Sequence, residues 1–268
     1  MKPLMLPVIP NSPLINLKSK MKLGKFNLRR NKDNRFVENY LFNQSLVNYN
    51  EDYENNQSLS KKFQDHMYEM YNNLKKKFPK GSKLVEVGCG QGDFLKIVEN
   101  DKYFNFIGFD KAYKGKNKKI FKRYVNLKDK QKVDVIILRH VLEHIKNLVQ
   151  LMEEIYRVCK HDSIVVISVP YYTSRGAFTD PEHIRFYTEY TFQRFEPPTY
   201  GVNCNYEIIS TEFDVVRSFR HYPKIVQKWC RRYLWNVVDS IIVTMKVVKS
   251  GSGDNISPEF KRSMPSWS

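Results

Sequence analysis

The chain has 268 residues, a mass of 31.9 kDa and a formal charge of +17, from 45 Lys and Arg against 28 Asp and Glu. A chain of this size builds an ordinary core without staples. Its four cysteines (Cys89, Cys159, Cys204, Cys230) contain no Cys-x-x-Cys pair, which argues against a zinc module and a disulfide framework. No apolar run approaches the ~20 residues of a membrane span, and the opening MKPLMLPVIPNSPLI is short and broken by proline, so a soluble, cytoplasmic protein with reduced thiols is expected.

Residues 1–52 mix Pro, Asn and basic side chains without helical or strand periodicity and read as a basic, poorly ordered extension. From Leu59 to Phe78, the residues Phe63, Met67, Met70, Tyr71, Leu74 and Phe78 fall at helical spacing and lead into the turn Pro79-Lys-Gly-Ser82. Strand and helix patterns then alternate: Lys83–Val87, a helix Asp93–Asn100, Phe104–Asp110, a short strand near Arg123–Asn126, Val133–Leu138, a helix Leu148–Lys160, and Ser163–Val169. That alternation predicts an α/β fold with a parallel sheet and crossover helices. After Pro170 come a loop, Thr188–Phe195, an extended Tyr206–Val216, a basic amphipathic segment Lys224–Tyr233 and an apolar run Val237–Val248. Residues 53–249 thus form the folded domain, and the Ser-, Gly- and Pro-rich residues 250–268 are expected to be disordered.

The chemistry begins where the first strand of this series ends. Leu84-Val-Glu-Val-Gly-Cys-Gly-Gln-Gly-Asp-Phe-Leu95 places glycines at 88, 90 and 92, directly before a helix. Glycines there permit positive φ and a close approach of backbone to a ligand, and the amides opening the helix are expected to face outward. Alone the pattern is weak. Asp110, however, ends the second strand 18 residues after Gly92, where nucleoside-binding folds place an acid for the ribose hydroxyls. Glu86 stands in the first strand where a dehydrogenase has an apolar residue, and Val133–Leu138 runs into Arg139-His-Val-Leu-Glu-His-Ile145.

With these motifs, roughly from Tyr53 to Lys249, the chain resembles the class I S-adenosylmethionine-dependent methyltransferases, whose first motif reads E/D-x-G-x-G-x-G and whose fourth strand often ends in an "HVLEH" segment. YENNQSLSKKFQDH, GFDKAYKGKNKKI and RHVLEHI are similar to bacterial members that modify sugars or secondary metabolites. The resemblance implies a Rossmann-like, mostly parallel sheet with an antiparallel last strand and helices on both faces. It also implies S-adenosylmethionine as cofactor, with Gly88, Cys89, Gly90 and Gly92 under the methionyl and ribose parts. Glu86 would hold the turn and the cofactor's amino end, Asp110 the ribose hydroxyls, and Arg139 and His140 would make further cofactor contacts.

The sulfonium methyl is already electrophilic, so few catalytic groups are required. His140 and His183 are the candidates. His140 follows the fourth strand at the end where open sheets bind ligands. His183 lies in Ala177-Phe-Thr-Asp-Pro-Glu-His-Ile-Arg-Phe-Tyr-Thr188, a loop that in related methyltransferases commonly covers the acceptor. An imidazole there suits a general base, or else ties the loop down by hydrogen bonds. Tyr171, Tyr172, Arg185 and Tyr187 are candidate acceptor contacts, and Tyr53 to Gln57 with His66 either close over the cofactor or act as turn and cap residues. On a helix His140 and His144 would share a face, but the His-x-x-Glu-His order supplies no third ligand, and no metal centre is expected. The expected activity is methyl transfer to a small-molecule or glycan-linked acceptor. The alternatives are an RNA methyltransferase using the basic extension and the Arg217–Arg232 segment, and an inactive S-adenosylmethionine-binding scaffold.

Overall fold

The computed structural model describes residues 4–7, 23–30, 32, 37–43, 61–125, 132–180, 182–196 and 201–249. The extension, expected without periodic structure, contains two antiparallel ribbons: β1 (Leu4–Pro7) with β2 (Leu23–Phe26), and β3 (Leu28–Arg30) with β4 (Val37–Asn39). Tyr53 to Gln57, the side chain of His66 and residues 250–268 lie outside the described residues.

The domain then follows the predicted alternation: α1 (Lys61–Lys77), β5 (Lys83–Val87), α2 (Asp93–Asp101), β6 (Asn105–Phe109), β7 (Ile120–Phe121), β8 (Val133–Arg139), α3 (Leu148–Val158), β9 (Cys159–Pro170), α4 (Arg175–Thr179), β10 (Tyr206–Val215), α5 (Lys224–Tyr233) and β11 (Val238–Val247). The strand order across the sheet is β10-β11-β9-β8-β5-β6-β7. Neighbours from β9 to β7 are parallel, while β11 runs antiparallel to both β9 and β10, so the last strand inserts against the direction of all the others. Among the described residues no helix is long and apolar enough to cross a membrane.

Alternation along the buried strands sorts side chains to two faces. Leu84, Val135 and Ile137 join Met67, Tyr71, Leu74, Phe94, Leu95 and Val98 of α1 and α2. Val85, Val87, Ile136 and Leu138 face the other way, onto Leu148, Met152 and Ile155 of α3. Full burial of each such aliphatic side chain is worth about 1.5–3 kcal/mol, so a helix that lost its stripe would leave the sheet. All four cysteines are buried free thiols. The short strand after β6 pairs through Ile120 and Phe121, not Arg123 to Asn126, because Ile120 is the buried residue and Phe121 stacks on Phe109 at 5.5 Å.

One tertiary contact sets the geometry of the sheet's ligand-facing end. After β8, a single 3-10 turn, Leu142–His144, is pinned from the side by the segment following α4. The Ile184 N–H donates to the Glu143 carbonyl (2.8 Å) and the Tyr187 hydroxyl to that of Leu142 (2.7 Å). Arg185 donates through Nε to the Ile145 carbonyl (2.8 Å) and through Nη2 to that of Lys146. The Leu142 carbonyl also accepts the Ile145 N–H within the turn (3.1 Å), whereas those of Glu143, Ile145 and Lys146 accept from the docked segment. Asn39 extends the chain of contacts, its N–H donating to the Ile184 carbonyl at 3.0 Å. Tyr187→Phe removes one of these bonds inside a buried site, and urea unfolding is expected to show a loss of about 1–2 kcal/mol with little change in m-value.

Candidate functional site

The chain builds β5, β6 and β7 outward on one side and then crosses to β8 on the other, so the strand order reverses between β5 and β8. Open α/β sheets form their ligand crevice at such a point, beyond the carboxyl ends of the strands. The glycine turn and Arg139-His140 both emerge there.

The three glycines have φ of +72°, +55° and +78°, and they differ in what a side chain would meet. A Cβ at Gly88 would sit 2.2 Å from Val141 Cγ2, and one at Gly92 2.6 Å from Ile120 Cδ1. At Gly90 nothing lies within 4 Å, so this is the position where the turn presents bare backbone to open space. The amides of the turn ahead of α2 are engaged within the protein. Those of Gly88 and Cys89 donate to the Phe109 carbonyl (2.8 and 3.2 Å), and that of Gly90 to Asp110 Oδ2 (2.8 Å). The turn is thus braced against the end of β6. Asp110 Oδ1 also accepts from the Ala112 N–H (2.7 Å). Burial pushes the Asp110 carboxyl up, with the two amides opposing. Each oxygen, used once, keeps acceptor capacity. Gln91, which the sequence reading passed over, bridges to the next loop through the Ala112 carbonyl (3.1 Å) and the Lys114 N–H (3.0 Å). The Cys89 thiol is buried, which pushes its pKa up, and it packs where a Cβ on Gly108 would come within 2.9 Å of its sulfur.

Glu86 does not bond the turn's backbone. Its Oε1 accepts from Arg139 Nε (3.0 Å) and Nη2, across neighbouring strands on the α2 face, where the guanidinium also lies 4.9 Å from the Phe94 ring centre. Oε2 is buried and has no hydrogen-bond partner. Burial pushes the Glu86 carboxyl above the usual carboxylate range, and Arg139 opposes that shift. Removing either partner would strand a buried charge.

His140 and His144 do not share a helix face. His140 has φ of +54°, which breaks the chain direction immediately after β8, and only the 3-10 turn follows. The His140 side chain is 44% exposed, with Nδ1 3.3 Å from Oε1 of fully buried Glu143. His144 is half-buried, and its ring meets that of His183 edge-on at 4.8 Å. His183 itself is buried. Its Nδ1–H donates to the Ala177 carbonyl (3.1 Å), which leaves Nε2 4.0 Å from both Glu143 Oε1 and Asp180 Oδ2. The fold therefore brings His140, Glu143, His144 and His183 around one carboxylate. Burial would raise the Glu143 pKa, but the three imidazoles together hold it below the usual range. The middle position of Glu143 in His-x-x-Glu-His was the sequence signal for this hub; that of Asp180 carried none.

The four aromatic and basic candidates after β9 turn mostly inward. Tyr171 is buried and donates to Glu189 Oε2 (2.7 Å), Tyr187 and Arg185 spend their donors on the 142–146 carbonyls, and Tyr172 is half-buried against the Tyr171 ring. Arg185 and Tyr187 therefore support the 142–146 segment, Tyr171 is held by Glu189, and Tyr172 alone of the four keeps an open part.

Several solved structures are similar to this chain. A SAM-dependent methyltransferase from Archaeoglobus fulgidus is 17% identical, with 68% of this chain and 93% of that one covered and a TM-score of 0.48. One from Mesorhizobium loti is 14% identical, covering 66% and 96%, with a TM-score of 0.46. Phosphoethanolamine N-methyltransferase 2 of Haemonchus contortus, in complex with S-adenosyl-L-methionine, is 12% identical, covering 69% and 53%, at 0.46. No curated protein matches the chain. The family model described as a methyltransferase domain matches residues 61–196, which takes in α1, the glycine turn, Asp110, the His140 segment and the His183 loop. That match spans just over half of the sequence, and the chain accordingly belongs to this family, as a class I S-adenosylmethionine-dependent methyltransferase.

Proposed function

We propose that the enzyme methylates a small-molecule or glycan-linked acceptor through a hydroxyl or amine group presented to His140. The observation that carries this reading is the pairing of a solvent-facing imidazole at the sheet's crossover point with a buried carboxylate 3.3 Å behind it.

The residues present fit the cofactor. Gly90 offers bare backbone beside open space, Asp110 retains acceptor capacity for ribose hydroxyls, and Glu86 Oε2 is a buried acceptor without a partner, two residues before the turn, suited to an ammonium group. When bound, S-adenosylmethionine supplies a sulfonium methyl that needs no further activation. What remains for the chain is to align the acceptor, exclude water and take up one proton. His140 directs Nδ1 at Glu143, which leaves Nε2 for the acceptor's proton, and Glu143 stabilises the imidazolium that results. Tyr172 supplies a ring edge on the acceptor side. His183, buried behind Glu143, acts through that carboxylate and is a positioning residue.

Two outcomes follow. Gly90→Ala meets no protein atom and costs the fold only about 1–2 kcal/mol for a left-handed alanine, yet it is expected to weaken S-adenosylmethionine binding at least several-fold by calorimetry; Gly88→Ala should instead lower the melting temperature, because its Cβ collides with Val141. His140→Ala is expected to cut S-adenosylhomocysteine release, measured across hydroxyl and amine acceptors, by about 10²–10⁴-fold while cofactor affinity stays within a factor of three. Unchanged turnover would remove His140 from the chemistry.

A further inference from the structure

We propose that Glu143, His144 and His183 form a site for a divalent first-row transition-metal ion. Each contributes one ligand atom, and these atoms lie within 4.8 Å of one another. The sequence offered a His-Glu pair without a third ligand; the fold supplies the third from a loop 39 residues further on. Two imidazoles and a carboxylate are a donor set suited to Zn²⁺, Mn²⁺ or Fe²⁺ over Mg²⁺ or Ca²⁺.

The second, independent observation is Glu143 itself. It is 1% exposed, and neither of its oxygens receives an aligned hydrogen bond. Buried carboxylates are normally paired and hydrogen-bonded or bound to metal, and the imidazoles around this one compensate it only at 3.3 and 4.0 Å. His183 is oriented as a metal ligand would be: Nδ1–H is fixed on a backbone carbonyl and Nε2 points into the cluster. Asp180 Oδ2, 4.0 Å from the same nitrogen, is a further oxygen at the rim. A tetrahedral ion with bonds of about 2.0–2.2 Å draws its donors to about 3.3–3.6 Å apart, a contraction of about 1 Å. That movement is small for a 3-10 turn and a loop.

The test uses the full chain after chelator treatment. Co²⁺ titration should give a visible d–d band that saturates at one ion per chain and is displaced by Zn²⁺, and this wild-type reading depends on no variant folding. His183→Ala and His144→Gln should each weaken Zn²⁺ binding at least about 10-fold by calorimetry, whereas His161→Gln, an exposed histidine outside the cluster, should not. Absence of the band, or equal Zn²⁺ affinity in the cluster variants, overturns the site. Failure of the metal titration leaves S-adenosylmethionine binding and the His140–Glu143 pair as they stand, so it is distinct from failure of the acceptor reading, whereas a bound ion would draw on the same Glu143 carboxylate that backs His140.

A separate feature carries a second proposal. α5 turns Gln227 and Cys230 inward and leaves Ile225 (78% exposed), Val226, Trp229 (59%) and Tyr233 on its outer side, continued by Tyr222, Leu234 and Trp235. An exposed apolar stripe of this size is unusual. Lys224, Lys228 and Arg232 flank it, with Arg217 just before, while Arg231 turns inward onto the Phe213 ring and Arg220 pairs with Asp214. Aromatic and aliphatic side chains bordered by cations match the boundary of an anionic bilayer, and we infer that α5 lies on such a surface. Aliphatic residues at the centre of the stripe give RNA phosphates nothing to bind. The full chain should co-sediment with vesicles of phosphatidylcholine plus phosphatidylserine, far less with phosphatidylcholine alone, and Ile225→Ser or Trp229→Ser should weaken that binding at least about 10-fold. No sedimentation, or variants that bind vesicles equally while the chain binds RNA with a steep salt dependence, would overturn the assignment.

Discussion

No side chain fits at position 88. The turn after β5 and the segment after β8 meet there so closely that a Cβ would lie 2.2 Å from Val141. This contact brings the glycine turn, with Gly90 and the Asp110 that braces it, beside the segment that carries His140. Gly88 and His140 both have positive φ, so both chains turn sharply where the Val141 side chain packs against the Gly88 backbone. Glu86 and Arg139 close the arrangement from below by joining the same two strands with a buried ion pair.

A second layer holds the segment after β8. The carbonyls of the 3-10 turn after β8 and of the two residues that follow it accept hydrogen bonds from Ile184, Arg185 and Tyr187 of the His183 loop. The two motifs are therefore one unit. It is also why Arg185 and Tyr187, reactive by type, donate to backbone carbonyls of 142–146, and why His183 is buried beside Glu143. Asn39 attaches the ribbon of β3 and β4 to the same loop, so the extension bears on the site through backbone contact.

The fold was largely legible because its strands are buried on both faces and its helices carry clean apolar stripes; Lys83–Val87 and Lys224–Tyr233 fall at the expected residues. Errors came where tertiary contacts outweigh local pattern. Ile120, not Arg123, carries the short strand because it fills the space under Gly92 and Gly108. His140 and His144 would share a face only on a helix, and the left-handed His140 backbone leaves a single 3-10 turn there instead. Spacing singled out Gly88, Gly90, Gly92, Glu86 and Asp110 as candidates, but not the Arg139 partner of Glu86, nor the convergence of three imidazoles on Glu143, since His183 reaches it only through the docking of two loops distant in sequence.

The central claim is that the crevice between β5 and β8 binds S-adenosylmethionine with Asp110 as a direct contact. Calorimetric titration of the full chain with S-adenosylmethionine, wild type against Asp110→Asn, tests it most directly. The account predicts one-site binding that weakens at least about 10-fold in the variant while the fold survives, since Asn retains an acceptor for the Gly90 or Ala112 amide. No heat of binding to the wild type, or equal affinity in both proteins, would contradict it.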